Sequence, residues 1–152
     1  MKTGWRYMSD EFDDDNLDPK WIGFIYIIQH NESGKKYIGK KLLTKAATKT
    51  VNGKKKKIRK PSDWQNYWSS SPDLQKIIEE EGQDKFTRKI VMFCESKISL
   101  NYAEESLQYR LGVLESDKWF NSNIRSRIFK KNVINFDKTY LITLENISKM
   151  YK

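Results

Sequence analysis

Gly23-Phe24-Ile25-Tyr26-Ile27-Ile28-Gln29-His30, then Asn31-Glu32-Ser33-Gly34, then Lys35-Lys36-Tyr37-Ile38-Gly39 reads as two short strands joined by a turn. Each strand carries a tyrosine, and the middle tetrapeptide is rich in turn-forming residues. A four-residue loop places His30 opposite Lys35. Ile28 then opposes Tyr37, and Tyr26 opposes Gly39. Directly opposed residues share a face, as do residues two apart along a strand. Tyr26 and Tyr37 become diagonal neighbours, Gly39 leaves space beside Tyr26, and Lys41 joins the same face. A one-residue change in the loop scatters the set.

Working outward, residues 1–20 read as an acidic, mobile leader ending at Asp18-Pro19, with Trp5 and Tyr7 as anchors. Strands are expected over Ile22 to Gln29, Lys36 to Leu42 and Phe86 to Glu95. A helix opens at Ser71-Pro72-Asp73 and stops at Gly82. A second helix runs from about Ser99 to Gly112, and residues 139–150 form a further short element. Residues 44–62, threonine- and lysine-rich with Asn52-Gly53, read as an extended loop or a hairpin excursion. The fold class is α/β in the α+β sense: a small, mainly antiparallel three-stranded sheet flanked by helices. The domain proper is 21–124, with a basic insertion at 44–62 and a short basic extension at 125–152.

The net charge of +9 over 152 residues is unevenly placed. All twelve charged residues from Lys35 to Lys60 are basic, whereas Asp10, Glu11, Asp13, Asp14, Asp15 and Asp18 cluster near the start. A one-sided basic surface suits a polyanion, because neutralised phosphates release condensed counterions. The acidic block raises a further expectation, that it folds over the basic groove and competes with nucleic acid. One cysteine, Cys94, and one histidine, His30, exclude a Cys/His zinc cluster. Cys94 sits in an apolar run and His30 at the hairpin turn; neither receives a role. No apolar run approaches membrane-spanning length and no signal-peptide core is present, so the chain reads as soluble and intracellular.

Gly23-Phe24-Ile25-Tyr26 with Tyr37-Ile38-Gly39 resembles the signature of the GIY-YIG nuclease superfamily, and most of all its free-standing, phage-type homing endonucleases. Trp64-Gln65-Asn66-Tyr67-Trp68-Ser69-Ser70, Gly82 before Phe86, Glu104 in a helix and Phe120-Asn121 follow in the expected order, over roughly residues 22–124. The resemblance implies a metal-dependent endonuclease hydrolysing double-stranded DNA with Mg²⁺ or Mn²⁺. It also implies a cytoplasmic setting, the bacterial host cell if the enzyme is phage-encoded. Cutting both strands with one site per domain takes a homodimer or two visits.

Phosphodiester hydrolysis requires an activated water and neutralisation of a negative transition state. Tyr26 is the candidate general base; a phenol needs about 4 kcal/mol of phenolate stabilisation for that work near neutrality. Tyr37 orients water or phosphate. Glu104 falls between Leu100, Leu107 and Leu111, where a carboxylate is costly unless paired or metal-bound. It is therefore the candidate metal ligand, against a buried ion pair. Asn121, or else Asn123, holds Glu104 or a bound water. The arginine that many members carry after the second strand is missing here, so Lys41 and Arg59 stand in as the phosphate clamp. Lys40, Lys45, Lys49, Lys54, Lys55, Lys56, Lys57 and Lys60 form the nucleic-acid surface, with Tyr67 and Ser70 along the phosphate path. Trp64 and Trp68 read as core. The rival readings are a non-catalytic nucleic-acid-binding protein with a decayed site, and a nuclease that cuts RNA.

Overall fold

A computed structural model describes residues 2–135 and 139–151. The chain runs β1 (Lys2–Tyr7), β2 (Asp10–Asp13), β3 (Gly23–His30), β4 (Lys36–Leu42), β5 (Thr44–Val51), β6 (Lys54–Pro61), α1 (Pro72–Glu81), β7 (Phe86–Cys94), α2 (Lys97–Arg110), β8 (Asn123–Ile124), β9 (Ile128–Phe129), α3 (Lys130–Val133) and α4 (Tyr140–Met150). The main sheet has the order β2-β1-β7-β3-β4 and is antiparallel except between β1 and β7. β5–β6 and β8–β9 are separate two-stranded ribbons. Among the described residues no helix is long and apolar enough to cross a membrane.

The β3–β4 hairpin has the register read from its turn: Ile28 pairs with Tyr37, Tyr26 with Gly39 and Phe24 with Lys41. Gly34 takes φ +75° and its N–H reaches the His30 carbonyl at 2.8 Å, while the His30 N–H reaches Lys35. β3 is apolar throughout because both its faces are covered. Phe24, Tyr26 and Ile28 enter an aromatic cluster with Trp5, Trp64 and Ile90; Ile25 packs with Leu100 and Ala103 of α2 on the other side. α1 opens as expected, with Ser71 accepting from the Leu74 N–H and Pro72 in the first turn. α2 begins earlier than Ser99, because Ser96 caps it by accepting from the Ser99 N–H.

Two expectations are corrected. The sheet has five strands, not three, and the supposed mobile leader supplies the extra two. Trp5 is fully buried; it meets Phe24 at 5.1 Å and Tyr26 at 5.6 Å edge-on, and its indole N–H donates to the Trp64 carbonyl at 2.9 Å. The acids of β2 sit on the exposed outer strand, where charge discourages further strand pairing. β2 and β4 are opposite edges of the sheet, about 19 Å apart at the usual strand spacing. Asp10, Glu11 and Asp13 thus belong to a strand of the sheet and are not part of a free segment laid over the basic ribbon. Of the extension 125–152, residues 136–138 and 152 lie outside the described residues; the rest forms β9, α3 and α4.

Arg88 of β7 locks the N-terminal strand to the segment before α1. Its guanidinium lies between the rings of Trp5 (4.4 Å) and Trp68 (4.2 Å) and donates to the carbonyls of Tyr67 (2.7 Å), Gln65 (3.2 Å) and Thr3 (3.2 Å). Burial lowers its pKa to about 10. If Trp5 is core, Trp5→Ala lowers the unfolding free energy by about 3–5 kcal/mol in a urea titration. A variant that unfolds within 0.5 kcal/mol of the parent would return residues 2–13 to the status of a leader.

Candidate active site

β4 is the outer strand on its side of the sheet, and its outward main-chain groups are satisfied one after another by different means. Lys36 N–H donates to the Lys118 carbonyl, and the Phe120 N–H donates to the Lys36 carbonyl. The Asn121 side chain then replaces a strand. Its Oδ1 accepts the Ile38 N–H at 3.1 Å and its Nδ2 donates to the Ile38 carbonyl at 2.9 Å. At Lys40 the neighbour is the Glu104 carboxylate of α2, whose charged form is favoured by the Lys40 ammonium, at 3.7 Å, and by the Lys40 main-chain N–H. Ser62 closes the row by donating its hydroxyl to the Leu42 carbonyl at 2.6 Å.

These groups surround a polar pocket of about 450 Å³ off the edge of β4, lined in part by Tyr37, Lys40, Ser70, Glu104, Asn121 and Arg125. Glu104 is reached by the Lys40 ammonium at 3.7 Å, and Lys40 also donates to Asn101 Oδ1. Burial raises the Glu104 carboxyl above its ordinary range, while the Lys40 ammonium and N–H pull it back. The residues packed inward from α2 are Leu100, Ala103 and Leu107; Leu111 lies at the helix end, exposed, outside the stripe expected of it.

The tyrosines gather on the opposite face. The Tyr26 ring lies 6.2 Å from Tyr37 and 5.8 Å, edge-on, from Tyr67. The side chains of Tyr67 and Ser69 act on its hydroxyl, and those of Ser70 and Ser69 on that of Tyr37. The space expected beside Gly39 is filled by Tyr26 itself: a Cβ on Gly39 would lie 2.6 Å from the phenol oxygen and 3.0 Å from the Tyr37 ring. Burial pushes the Tyr26 phenol well above 10, with Tyr67 and Tyr37 adding to the effect. Tyr37 is raised too, again chiefly by burial. The general-base role expected of Tyr26 needs the opposite shift. Burial among these rings does not supply it, and the field it requires would have to come from a bound cation or substrate.

Of the residues read from sequence, the structure brings Tyr37, Lys40, Ser70, Glu104 and Asn121 to one pocket, with Tyr26 and Tyr67 behind Tyr37. Lys41 shares the tyrosine face as expected but is already engaged. Its ammonium meets Asp63 Oδ1 at 2.7 Å and lies 4.1 Å over the Tyr67 ring. Arg59 is not in the pocket; it sits on β6, donating from Nε to Thr44 Oγ1 at 3.1 Å and from NH2 to the Thr44 carbonyl at 2.8 Å. Lys45, Lys49, Lys54, Lys55, Lys56, Lys57 and Lys60 lie along the same β5–β6 ribbon. Asn121 does not hold Glu104, since both ends of its amide are bound to Ile38. Asn123 lines the pocket, and its Oδ1 accepts the Ser126 N–H.

Two residues escaped sequence reasoning. Arg125 lines the pocket, with its guanidinium largely exposed and NH1 3.7 Å from Glu105 Oε1, which leaves donors that Arg59, on β6, does not bring there. Arg125 and Ser126 adopt φ of +57° and +56°, left-handed values uncommon outside glycine. Ser69, buried at φ +91°, holds its oxygen against the Ser71 N–H while acting on both tyrosine hydroxyls. No glycine or motif spacing signals Arg125, and Ser69 lies within the Trp64–Ser70 motif without a role of its own there. Such strain gathers where surrounding packing holds a side chain for a task.

A divalent cation fits the donor set. Glu104 is a partly desolvated carboxylate with acceptor capacity beyond its bonds to Lys40, and it opens on a polar pocket. One carboxylate with water and substrate phosphate oxygens is a common arrangement for Mg²⁺. Among the described residues, the one cluster of three acidic groups close enough to share an ion is Asp13, Asp14 and Asp15, around the end of β2 at the far edge.

A family model described as "Putative endonuclease segE, GIY-YIG domain" matches residues 5–124, from the first strand through the end of β8. No curated protein and no solved structure matches the chain.

Two outcomes follow from the crowded tyrosine face. Gly39→Ala forces Tyr26 and Tyr37 apart, costing about 1–3 kcal/mol in chemical denaturation; an unchanged midpoint would mean the rings yield freely. Tyr26 holds its proton in the folded state past the pH at which an unfolded phenol loses it. Its contribution is thus intact below about pH 10 and lost as pH rises through the folded-state value. Tyr26→Phe is therefore expected to flatten the alkaline fall in stability, measured against the parent from pH 9 to 12.

Proposed function

From a chain that belongs to the GIY-YIG endonuclease family, of segE type, we propose an enzyme that hydrolyses phosphodiester bonds of double-stranded DNA at the pocket beside β4. The observation that carries this reading is the convergence of Glu104, Lys40, Arg125, Tyr37 and Ser70 on one polar cavity. A carboxylate for a cation, two basic groups and two hydroxyls are what a phosphate diester and its more negative transition state require.

Glu104 would hold Mg²⁺ or Mn²⁺, and Lys40 keeps the carboxylate aimed through its N–H. When bound, the ion supplies charge neutralisation and a more acidic water. Arg125 offers the planar fork for a nonbridging phosphate oxygen, and Lys40 is a second, point-like cation. Tyr37 and Ser70 donate hydroxyl hydrogen bonds that orient the diester. Tyr26 holds Tyr37 in place through Ser69 and does not itself take the proton. A single pocket of this size cuts one strand at a time, as a nickase by successive visits or as a homodimer.

The second reading, binding without catalysis, is favoured by one observation: Lys40 already occupies Glu104. Both are tested on supercoiled plasmid in Mg²⁺ and in EDTA. Glu104→Gln keeps an oxygen for the Lys40 N–H and should lower nicking at least a thousandfold with little change in melting temperature. Glu104→Ala should lose both activity and about 1–3 kcal/mol of stability, because the Lys40 N–H is orphaned. Full nicking by Glu104→Gln would remove the site; DNA binding without cleavage in any divalent metal would establish the non-catalytic reading.

A further inference from the structure

We propose that the β5–β6 ribbon is a major-groove reading arm for duplex DNA, in which Arg59 contacts base edges and the lysines on the reverse face contact phosphates. The inference rests on the DNA reading above but concerns a different surface.

The insertion is a regular antiparallel ribbon with a continuous register from Thr44↔Pro61 to Val51↔Lys54. Asn52 (φ +51°) and Gly53 (φ +74°) close its tip, values that suit a two-residue turn matched to strand twist. It forms no part of the main sheet, and apart from Thr44, Ala47 and Ile58 its residues are exposed. An isolated two-stranded hairpin is marginal in water, and this one lacks a hydrophobic face. It carries no acid to pair its lysines, so its own charges repel. A polyanion lying along it would offset both costs.

Width chooses the groove. Two strands about 4.8 Å apart with side chains at their flanks match a groove about 12 Å wide and not one about 6 Å wide. Eight residues per strand span about 26 Å, the length of seven to eight base pairs measured along the helix axis.

The alternation of strand residues sorts the chemistry. One face carries Thr48, Thr50, Lys55, Lys57 and Arg59, a mixture of hydroxyls and donors with the small Ala46 opposite Arg59. The other carries Lys45, Lys49, Lys54, Lys56 and Lys60, point charges without hydroxyl partners, around the apolar Ala47, Val51 and Ile58. Only the first adds a guanidinium and hydroxyls to its lysines, the fuller set of base-edge donors and acceptors. Thr44 holds two of the five guanidinium donors of Arg59, orienting the group and leaving donors for the paired acceptors of a guanine edge.

The root of the ribbon links reading to cutting. β5 continues β4, the strand that carries Tyr37 and Lys40. Leu43 between them is buried in the core, its N–H on the Ile22 carbonyl, and the Ser62 N–H binds the Leu43 carbonyl where β6 leaves. DNA gripped by the ribbon is thereby held at a fixed offset from the pocket.

The test uses the full chain in EDTA, so that binding is read without cleavage. A preferred duplex is first selected from a randomised pool. Arg59→Ala is expected to weaken binding to that duplex at least tenfold and to unrelated duplex less than threefold. Replacing Lys45, Lys49, Lys56 and Lys60 with alanine should weaken both alike and reduce the slope of log affinity against log salt by about 3.6. Substituting 7-deazaguanine for guanine in the preferred duplex should copy Arg59→Ala, and adding Arg59→Ala should then change nothing further. The proposal falls if no sequence is preferred or if Arg59→Ala weakens all duplexes equally. It falls too if 7-deazaguanine is without effect, or if duplex RNA, whose major groove excludes such a ribbon, binds as well. Plasmid nicking in Mg²⁺, measured separately, decides the nuclease reading, so either conclusion can fail alone.

Discussion

The unpaired edge of β4 is the constraint on which the site depends. An outer strand must satisfy its main-chain donors and acceptors without inviting another strand to add to it. Here each outward residue is met by a different partner: the 118–120 backbone at Lys36, the Asn121 amide at Ile38, Glu104 at Lys40 and Ser62 at Leu42. Because each partner arrives from another part of the chain, closing the edge gathers β4, α2 and the 118–126 segment around one small volume. The polar pocket results from that gathering.

On the inner side of the same strand, burial sets the chemistry. Tyr26 lies among Trp5, Phe24, Tyr37 and Tyr67, and that company makes ionisation of its phenol unfavourable. Its value is geometric: with Gly39 beneath it and Ser69 beside it, Tyr26 fixes where the Tyr37 hydroxyl can sit. Lys41, the cation best placed by register to influence these phenols, is neutralised by Asp63 and spread over the Tyr67 face. The electrostatics therefore point away from a tyrosinate and toward the polar pocket as the place where charge is handled.

Local signals in the sequence were sufficient for the hairpin. The tetrapeptide turn determines its register, and continuous apolar character identifies β3 as covered on both faces. The N-terminal strands were hidden because their apolar residues, Trp5, Tyr7 and Phe12, are interleaved with acids that belong on an exposed edge. Composition made a leader of what packing makes a sheet. Glu104 was found from helical periodicity, although Leu111 proved to be exposed. Asn121 was found through the family resemblance but given the wrong partner, since its bond to Ile38 spans 83 residues. Arg125 could not be found by spacing at all: a left-handed turn without glycine brings it to the pocket. Lys41 and Arg59 were set aside for different reasons that no local pattern announces: Asp63 captures Lys41, and β6 carries Arg59 away from the pocket.

Folding and chemistry at β4 are thus carried by shared atoms. The Glu104 carboxylate stands among the partners along the β4 edge and is also the one acid in the pocket partly withdrawn from water. Asn121 is bound at both ends of its amide, and with the 118–120 bonds to Lys36 it ties the segment bearing Asn123 and Arg125 to the strand. A truncation at either position removes a structural bond together with a functional group, and activity loss alone would not tell the two apart. Acid-to-amide replacement at Glu104 separates them, because the hydrogen-bond acceptor survives while the charge does not. Nothing similar exists for Asn121: aspartate keeps the acceptor for the Ile38 N–H but presents a carboxylate to the Ile38 carbonyl. Asn121 is therefore a residue whose loss should be read first in stability and only afterwards in catalysis.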